Sequence, residues 1–214
     1  DPPKTKEEKY LMDAYTDEAI DFISRNKNNP FFAYVAYNAP HSPFRTKKRL
    51  VERVVAARPQ FEEAYERMKQ ETEKWDGVNY DFGTYKGLDL DQEILRLVYI
   101  SMLLSVDDGV GKLVDTLENL NLREKTLIFY LSDNGAALDR PNDLGGVNIP
   151  LRDGKGSVYD GGVRVPYVMS WPGVLEPGRD KETIVSSMDI YTTTVELAGG
   201  QIPTDKVIDG VNLI

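Results

Sequence analysis

Three short, mostly apolar runs constrain this chain more than any other feature. They are Phe31-Phe32-Ala33-Tyr34-Val35-Ala36-Tyr37, Thr126-Leu127-Ile128-Phe129-Tyr130-Leu131, and the stretch from Val165 to Trp171. The first follows the turn signal Asn28-Asn29-Pro30 and the last is ended by Pro172-Gly173. Runs this short, apolar on both faces rather than at alternate positions, read as strands buried on both faces. Between them lie helical patterns. Thr16 to Asn28 places Ala19, Ile20, Phe22 and Ile23 on one side, with Thr16 as cap and Asp17 and Glu18 in the first turn. Asp91 to Leu120 is the longest periodic segment, and Ser186 to Ala198 is closed by Gly199-Gly200. Strands alternating with helices predict an α/β fold, with a mostly parallel or mixed sheet and helices on both faces.

Other segments say less. Residues 1–15 are polar and read as a connector. The narrow apolar stripe of Phe61, Tyr65, Met68 and Trp75 predicts a surface helix over 59–76, and 76–90, with three glycines, reads as a loop. Gly109 and Gly111 fall inside the long helix, where each costs about 1 kcal/mol unless it permits close packing or marks a break.

Size and charge narrow the function classes. A chain of 214 residues is one domain, or one plus an appendage, and buries roughly 70% of its unfolded surface without needing disulfides. No run of about 18 apolar residues is available to span a membrane. The net charge of −9 argues against nucleic acid as a partner. With no cysteine, disulfide scaffolds, zinc–thiolate sites and cysteine nucleophiles are all excluded within these residues. The chain starts Asp1-Pro2-Pro3, with neither Met nor an apolar leader, which predicts that something upstream has been removed.

Ligands of open α/β sheets bind beyond the carboxyl ends of strands, so the polar loops there are the candidates. After the first run comes Asn38-Ala39-Pro40-His41-Ser42-Pro43, holding the only histidine. After the second comes Ser132-Asp133-Asn134-Gly135. Before the third lies Leu151-Arg152-Asp153-Gly154-Lys155-Gly156-Ser157. Asp133 and Asn134 are hard oxygen donors of the kind calcium and magnesium take, though two are too few for a site, and the pair also suits an ordinary Asx turn. His41 sits between two prolines; it is either a proton or hydrogen-bond donor beside an anion or a surface-loop residue without a duty. Lys155 is either a point charge for an oxyanion or a solvated turn lysine. Asp107-Asp108 imitates a paired-carboxylate metal site, but consecutive helical side chains diverge, so both read as helix-surface residues.

Four segments in this order resemble the sulfatase family within the alkaline-phosphatase-like hydrolases: Phe31 to Pro43, with its P-H-x-P loop; TLIFYLSDNG from Thr126 to Gly135; Leu151 to Gly173, with the lysine loop; and the helix Ser186 to Ala198. The resemblance implies that Asp133 and Asn134 are two ligands of a divalent cation, usually calcium. It implies that Lys155 binds a sulfate oxygen and that His41 contacts the sulfate or the leaving-group oxygen. The family's nucleophile is a formylglycine made in a C/S-x-P-x-R motif, and no residue here starts one. The family's first-strand aspartate pair, and a further lysine and histidine, likewise have no match.

The expectation is therefore the later part of a sulfatase catalytic domain over 1–214, with 44–90 as a variable insertion. The parent enzyme would hydrolyse aryl or carbohydrate sulfate monoesters using calcium and a formylglycine lying upstream. The isolated chain would be inactive, and its cut face would pair with a second copy or with a chain carrying the missing half. A phosphomonoester or phosphodiester hydrolase of the same superfamily, or a non-catalytic domain of this fold, are the alternatives, separated by the upstream motif. Loops 44–90 and 136–150 would carry substrate specificity. By family, the location would be periplasmic or secreted.

Overall fold

The computed structural model describes residues 10–75, 79–83, 91–139, 142–143, 145–178 and 183–214. In chain order its elements are α1 (Leu11–Asn26), β1 (Phe44–Lys47), α2 (Lys48–Ala57), α3 (Glu62–Gln70), β2 (Asn79–Gly83), α4 (Gln92–Asn119), β3 (Ile128–Leu131), β4 (Leu138–Asp139), β5 (Asn142–Asp143), α5 (Asp160–Val163), β6 (Tyr167–Ser170) and α6 (Asp189–Leu197). They fall into two units. One comprises Asp1–Arg123 with Asp133–Val165, the other Glu124–Ser132 with Pro166–Ile214.

The first unit is built around α4. Asp91 caps it: one carboxylate oxygen accepts from the backbone N–H of Glu93 and of Ile94, each at 3.0 Å. Ile94, Leu97, Val98, Ser101, Met102, Ser105, Val106 and Gly109 then recur on one buried face at helical spacing. Phe44, Val51, Val54, Val55, Ala64, Tyr65, Met68 and Tyr80 join Ile94, Leu95, Leu97, Val98 and Met102 in one apolar cluster. Most of that core comes from 44–80, so this segment is integral to the unit's packing. Helix α2, with Leu50, Val51, Val54 and Val55 buried, is the strongest contributor that the sequence reading passed over. The segment expected to be one helix over 59–76 is α3 flanked by 3₁₀ turns at Pro59–Phe61 and Thr72–Lys74. Within the expected loop 76–90, residues 79–83 form β2, antiparallel to β1; 76–78 and 84–90 lie outside the described residues.

Two expectations near the N-terminus are corrected. The connector 1–15 becomes helix from Leu11 onward, and 1–9 lie outside the described residues. Thr16 does not cap α1. It sits mid-helix and buried, donating to the Met12 carbonyl at 2.8 Å and sharing a 2.8 Å hydrogen bond with the Tyr37 hydroxyl. Gly109 explains how this fits: a Cβ there would come within 2.6 Å of Thr16 Oγ1 and 2.7 Å of the Tyr37 hydroxyl. The missing side chain lets α1 and Tyr37 approach α4, whereas Gly111 has open space and serves no such contact.

The run 31–37 is not a paired strand. Phe32 is 66% and Tyr34 83% exposed, and no strand pairs with the run among the described residues. Apolarity supplies a reason to be covered but no partner for the backbone, and a strand needs both. In the second unit β3 and β6 pair antiparallel, with Ile128 opposite Ser170 and Leu131 opposite Tyr167. Both were expected to be buried on both faces, yet Tyr130 and Val168 remain exposed. All strand pairing among the described residues is antiparallel, in three two-stranded ladders. Helix α6 starts at Asp189, whose carboxylate accepts from Ser186 N at 2.6 Å and Val211 N at 2.9 Å. Gly199, at φ +76°, closes it.

The cap of α4 yields a stability prediction. Arg67 Nε donates to Asp91 at 2.7 Å, and this bond, with the capped backbone amides, holds the Asp91 carboxyl below its ordinary range. A carboxyl depressed by folding contributes stability that is present above its unfolded value and lost as pH falls through the folded one. Asp91→Ala is expected to cost about 1 kcal/mol at neutral pH, and to flatten the acid limb of stability against pH. Urea unfolding of both proteins at several pH values measures this; parallel acid limbs would refute it.

Candidate active site

The loop after β3 and the lysine loop are tied together through one residue, Ala136. Its carbonyl accepts from the backbone N–H of Lys155 at 3.1 Å. The side-chain amide of Asn148 completes the tie. Its oxygen accepts from Ala136 N, and its NH₂ donates to the carbonyls of Ala136 and Asp153, all at 2.9 Å. An amide side chain offers the same donor and acceptor as a peptide group, so Asn148 substitutes for a strand that the loop lacks. It had escaped the sequence reading because a lone Asn ahead of Ile149-Pro150 carries no motif.

Glycines make the junction possible. Gly135 N donates to the Gly162 carbonyl at 2.9 Å, and a Cβ on Gly135 would overlap the Gly161 carbonyl. A Cβ on Gly154 would overlap the Ala136 carbonyl, and one on Gly161 the Asp153 carbonyl. Backbone therefore packs directly on backbone over 133–136, 152–157 and 160–162. Asp153, at φ +66°, turns the chain just before Lys155, and Gly154 N donates back to its carboxylate at 3.0 Å. Lys155 itself is exposed, its main chain held and its ammonium outside.

The Asx turn expected at Asp133 does not form: Asp133 Oδ1 accepts from the adjacent Asn134 N at 2.9 Å, while Gly135 N, the amide such a turn would use, donates to the Gly162 carbonyl. Asn134 Nδ2 donates to the Gly135 carbonyl at 2.9 Å. With its NH₂ engaged, Asn134 is oriented as an oxygen donor, and Asp133 is exposed beside it. The pair fits a hard cation in donor type. It does not form a shell alone, since no group of three or more His, Cys, Asp or Glu suited to a metal occurs among the described residues.

His41 is held by its own loop. Its backbone N–H donates to the Asn38 carbonyl at 2.8 Å, and the Tyr15 hydroxyl donates to Asn38 Oδ1 at 2.9 Å. His41 Nδ1 lies 2.7 Å from the Ser42 carbonyl. A carbonyl only accepts, so Nδ1 carries the proton and Nε2 is left as the ring's other functional nitrogen. Among the described residues His41 makes no side-chain hydrogen bond to Asp133, Asn134 or Lys155. The loops share a footing instead: Ala39 and Ala137 pack against the same apolar cluster.

The imitation site at Asp107-Asp108 resolves as expected. Asp108 takes both oxygens to Arg53, at 2.6 and 2.8 Å, with Arg49 at 3.3 Å. Partial burial pushes its carboxyl up, but the hydrogen bonds and charges of the two arginines outweigh this and hold it below the usual range.

The sulfatase family model matches residues 1–200. N-acetylgalactosamine-6-sulfatase of Mus musculus is 34% identical over 206 residues, covering 95% of this chain and 32% of that protein. Arylsulfatase of Hemicentrotus pulcherrimus is 32% identical over 205 residues, covering 96% and 30%. The solved structure of Ps i-CgsB in complex with k-i-k-neocarrahexaose matches with a TM-score of 0.73 and 32% identity, covering 100% of this chain and 39% of that one. The chain thus spans about a third of the length of the curated relatives it matches. A match running through the glycine junction and the His41 loop alike shows that this chain belongs to the sulfatase family.

Proposed function

We propose that this chain supplies one side of the active site of a sulfuric ester hydrolase acting on sulfated carbohydrate. The observation that carries the reading is the Ala136 tie, which fixes Lys155 against the loop bearing Asp133 and Asn134. Relatives named for N-acetylgalactosamine 6-sulfate, and a matched structure complexed with a hexaose, support a sugar as the sulfated alcohol.

A sulfate monoester carries negative charge on its nonbridging oxygens, and its cleavage places charge on the leaving alcohol. The exposed Lys155 ammonium, on a main chain that cannot drift, suits the first demand. The His41 ring, turned by its Nδ1–H bond to Ser42, offers Nε2 to the second, donating to the leaving oxygen when protonated. Asp133 and Asn134 would hold part of a calcium ion's oxygen shell, and that ion would neutralise sulfate charge when bound. No serine here starts a C/S-x-P-x-R motif and there is no cysteine, so this reading places the nucleophile outside these 214 residues, and no step through it is derived. The same reading carries the expectation of a mostly parallel or mixed sheet with helices on both faces in the complete domain. No helix among the described residues is long and apolar enough to cross a membrane.

The 214-residue chain is expected to give no turnover of 4-methylumbelliferyl sulfate in calcium, while the complete enzyme containing it turns over the sulfate faster than the matching phosphate. Turnover by the chain alone, or a preference of the complete enzyme for phosphate, would overturn the reading.

A further inference from the structure

Arg96 stands apart from the other helix-facing arginines of the first unit. Arg49, Arg53 and Arg67 each hold a carboxylate. Arg96 is half-buried in a chain of net charge −9, yet pairs with no carboxylate among the described residues. It is nevertheless fixed. One guanidinium N–H donates to the Gly145 carbonyl, and the group lies 6.0 Å from the Tyr99 ring centroid. Arg96 also lines a cleft of about 190 Å³, together with Gln92, Gly145, Gly146 and Val147. Lacking side chains, Gly145 and Gly146 let this wall pack directly on Tyr99 and Ala136. At φ +83° Gly145 turns the chain, and a Cβ there would come within 2.6 Å of Tyr99.

The cleft's position relative to the lysine loop follows from Ala136. Gly146 packs against the Ala136 side chain, and the Ala136 carbonyl accepts the Lys155 N–H. One residue therefore separates the floor of the cleft from the lysine's main chain. A guanidinium anchored by one N–H presents its other donors as a fork, the shape that sulfate and carboxylate groups match in pairs.

We infer that the Arg96 cleft is a subsite for a second anionic group on the sugar, so that the preferred substrates carry at least two negative substituents. This rests on the sulfate-ester reading above and adds a selectivity that Lys155 alone does not provide. Val147, 53% exposed, lines the cleft without taking part in the Gly145 hydrogen bond.

The test is an equilibrium titration of the full 214-residue chain, in calcium buffer, with galactose 6-sulfate and galactose 2,6-disulfate as probes. The disulfate is expected to bind about tenfold more tightly, the scale of one charge-assisted pair. Arg96→Gln should erase that preference, and so should Val147→Glu, which places a carboxylate in the cleft lining while leaving Arg96 anchored. Lys155→Ala should weaken both sugars alike. Equal affinities in the wild-type chain, absence of binding by it, or a preference surviving both cleft variants overturns the subsite. If Lys155→Ala spares both sugars while the cleft variants erase the preference, the subsite stands and the role of Lys155 falls.

Discussion

If the proposed role holds, replacing Lys155 with alanine in the complete enzyme is expected to lower kcat/KM for a sulfate ester by about 10²–10³-fold, the usual loss when one fixed donor to a developing oxyanion is removed. Few positions in this chain allow so clean a separation of chemistry from folding. The Lys155 side chain is exposed, and the contacts that hold the residue are made by its backbone N–H and by Gly154 and Asn148 around it. Truncation removes the ammonium and little else, so the unfolding free energy should stay within about 0.5 kcal/mol of wild type, as for a surface change. Lys155→Arg should rescue poorly, because a planar fork does not occupy the place of a compact point charge on a tightly turned loop. Steady-state kinetics with an activated aryl sulfate and with a sulfated sugar decide the matter. Unchanged kcat/KM in the alanine variant would return Lys155 to the status of a solvated turn lysine.

How far the sequence revealed this arrangement depended on whether a segment's structure is set locally. Helix α4 was legible almost to the residue because its cap, Asp91, and its apolar period lie within the segment itself. The closure of α6 at Gly199 was legible for the same reason. The run 31–37 was misread because its apolar composition says it wants cover, while strand formation depends on a partner elsewhere. Thr16 has the chemistry of a cap, yet three-dimensional context makes it a buried bridge between α1 and Tyr37, permitted by a glycine some ninety residues away. The site divides the same way. Asp133, Asn134, His41 and Lys155 stood out as chemical types at loop positions, but the Asx turn expected at Asp133 is absent because the Gly162 carbonyl, far along the chain, takes the Gly135 N–H. Asn148 and Ala136, which bring two of the loops together, have side chains too ordinary to signal a long-range tie.

That tie leads to the largest structural effect expected in the chain, at Gly135. Its φ does not demand glycine, since only Gly145, Gly156, Gly173 and Gly199 among the described glycines lie in the left-handed region. The demand comes from space: a Cβ on Gly135 would overlap the Gly161 carbonyl oxygen, with the Gly161 carbonyl carbon at 2.8 Å and Gly162 Cα at 3.2 Å. All three are main-chain atoms, and Gly161 is itself pinned by its N–H to the Arg152 carbonyl at 2.8 Å. No rotamer change relieves the clash, so the loop must move as a body and give up the Gly135–Gly162 hydrogen bond. Gly135→Ala is therefore expected to cost about 3 kcal/mol, the upper end for overpacking, and to separate Asp133 and Asn134 from the lysine loop. Gly111→Ala is the internal comparison. It lies in α4 with no atom within 4 Å of its added Cβ, and should stabilise by up to about 1 kcal/mol through helix propensity alone. Urea unfolding of the two variants beside wild type checks both signs at once, and amide hydrogen exchange at Lys155 reports whether the Ala136 tie has opened. A Gly135→Ala protein as stable as wild type, with Lys155 N–H still protected, would mean that the backbone junction is not what holds the two loops together.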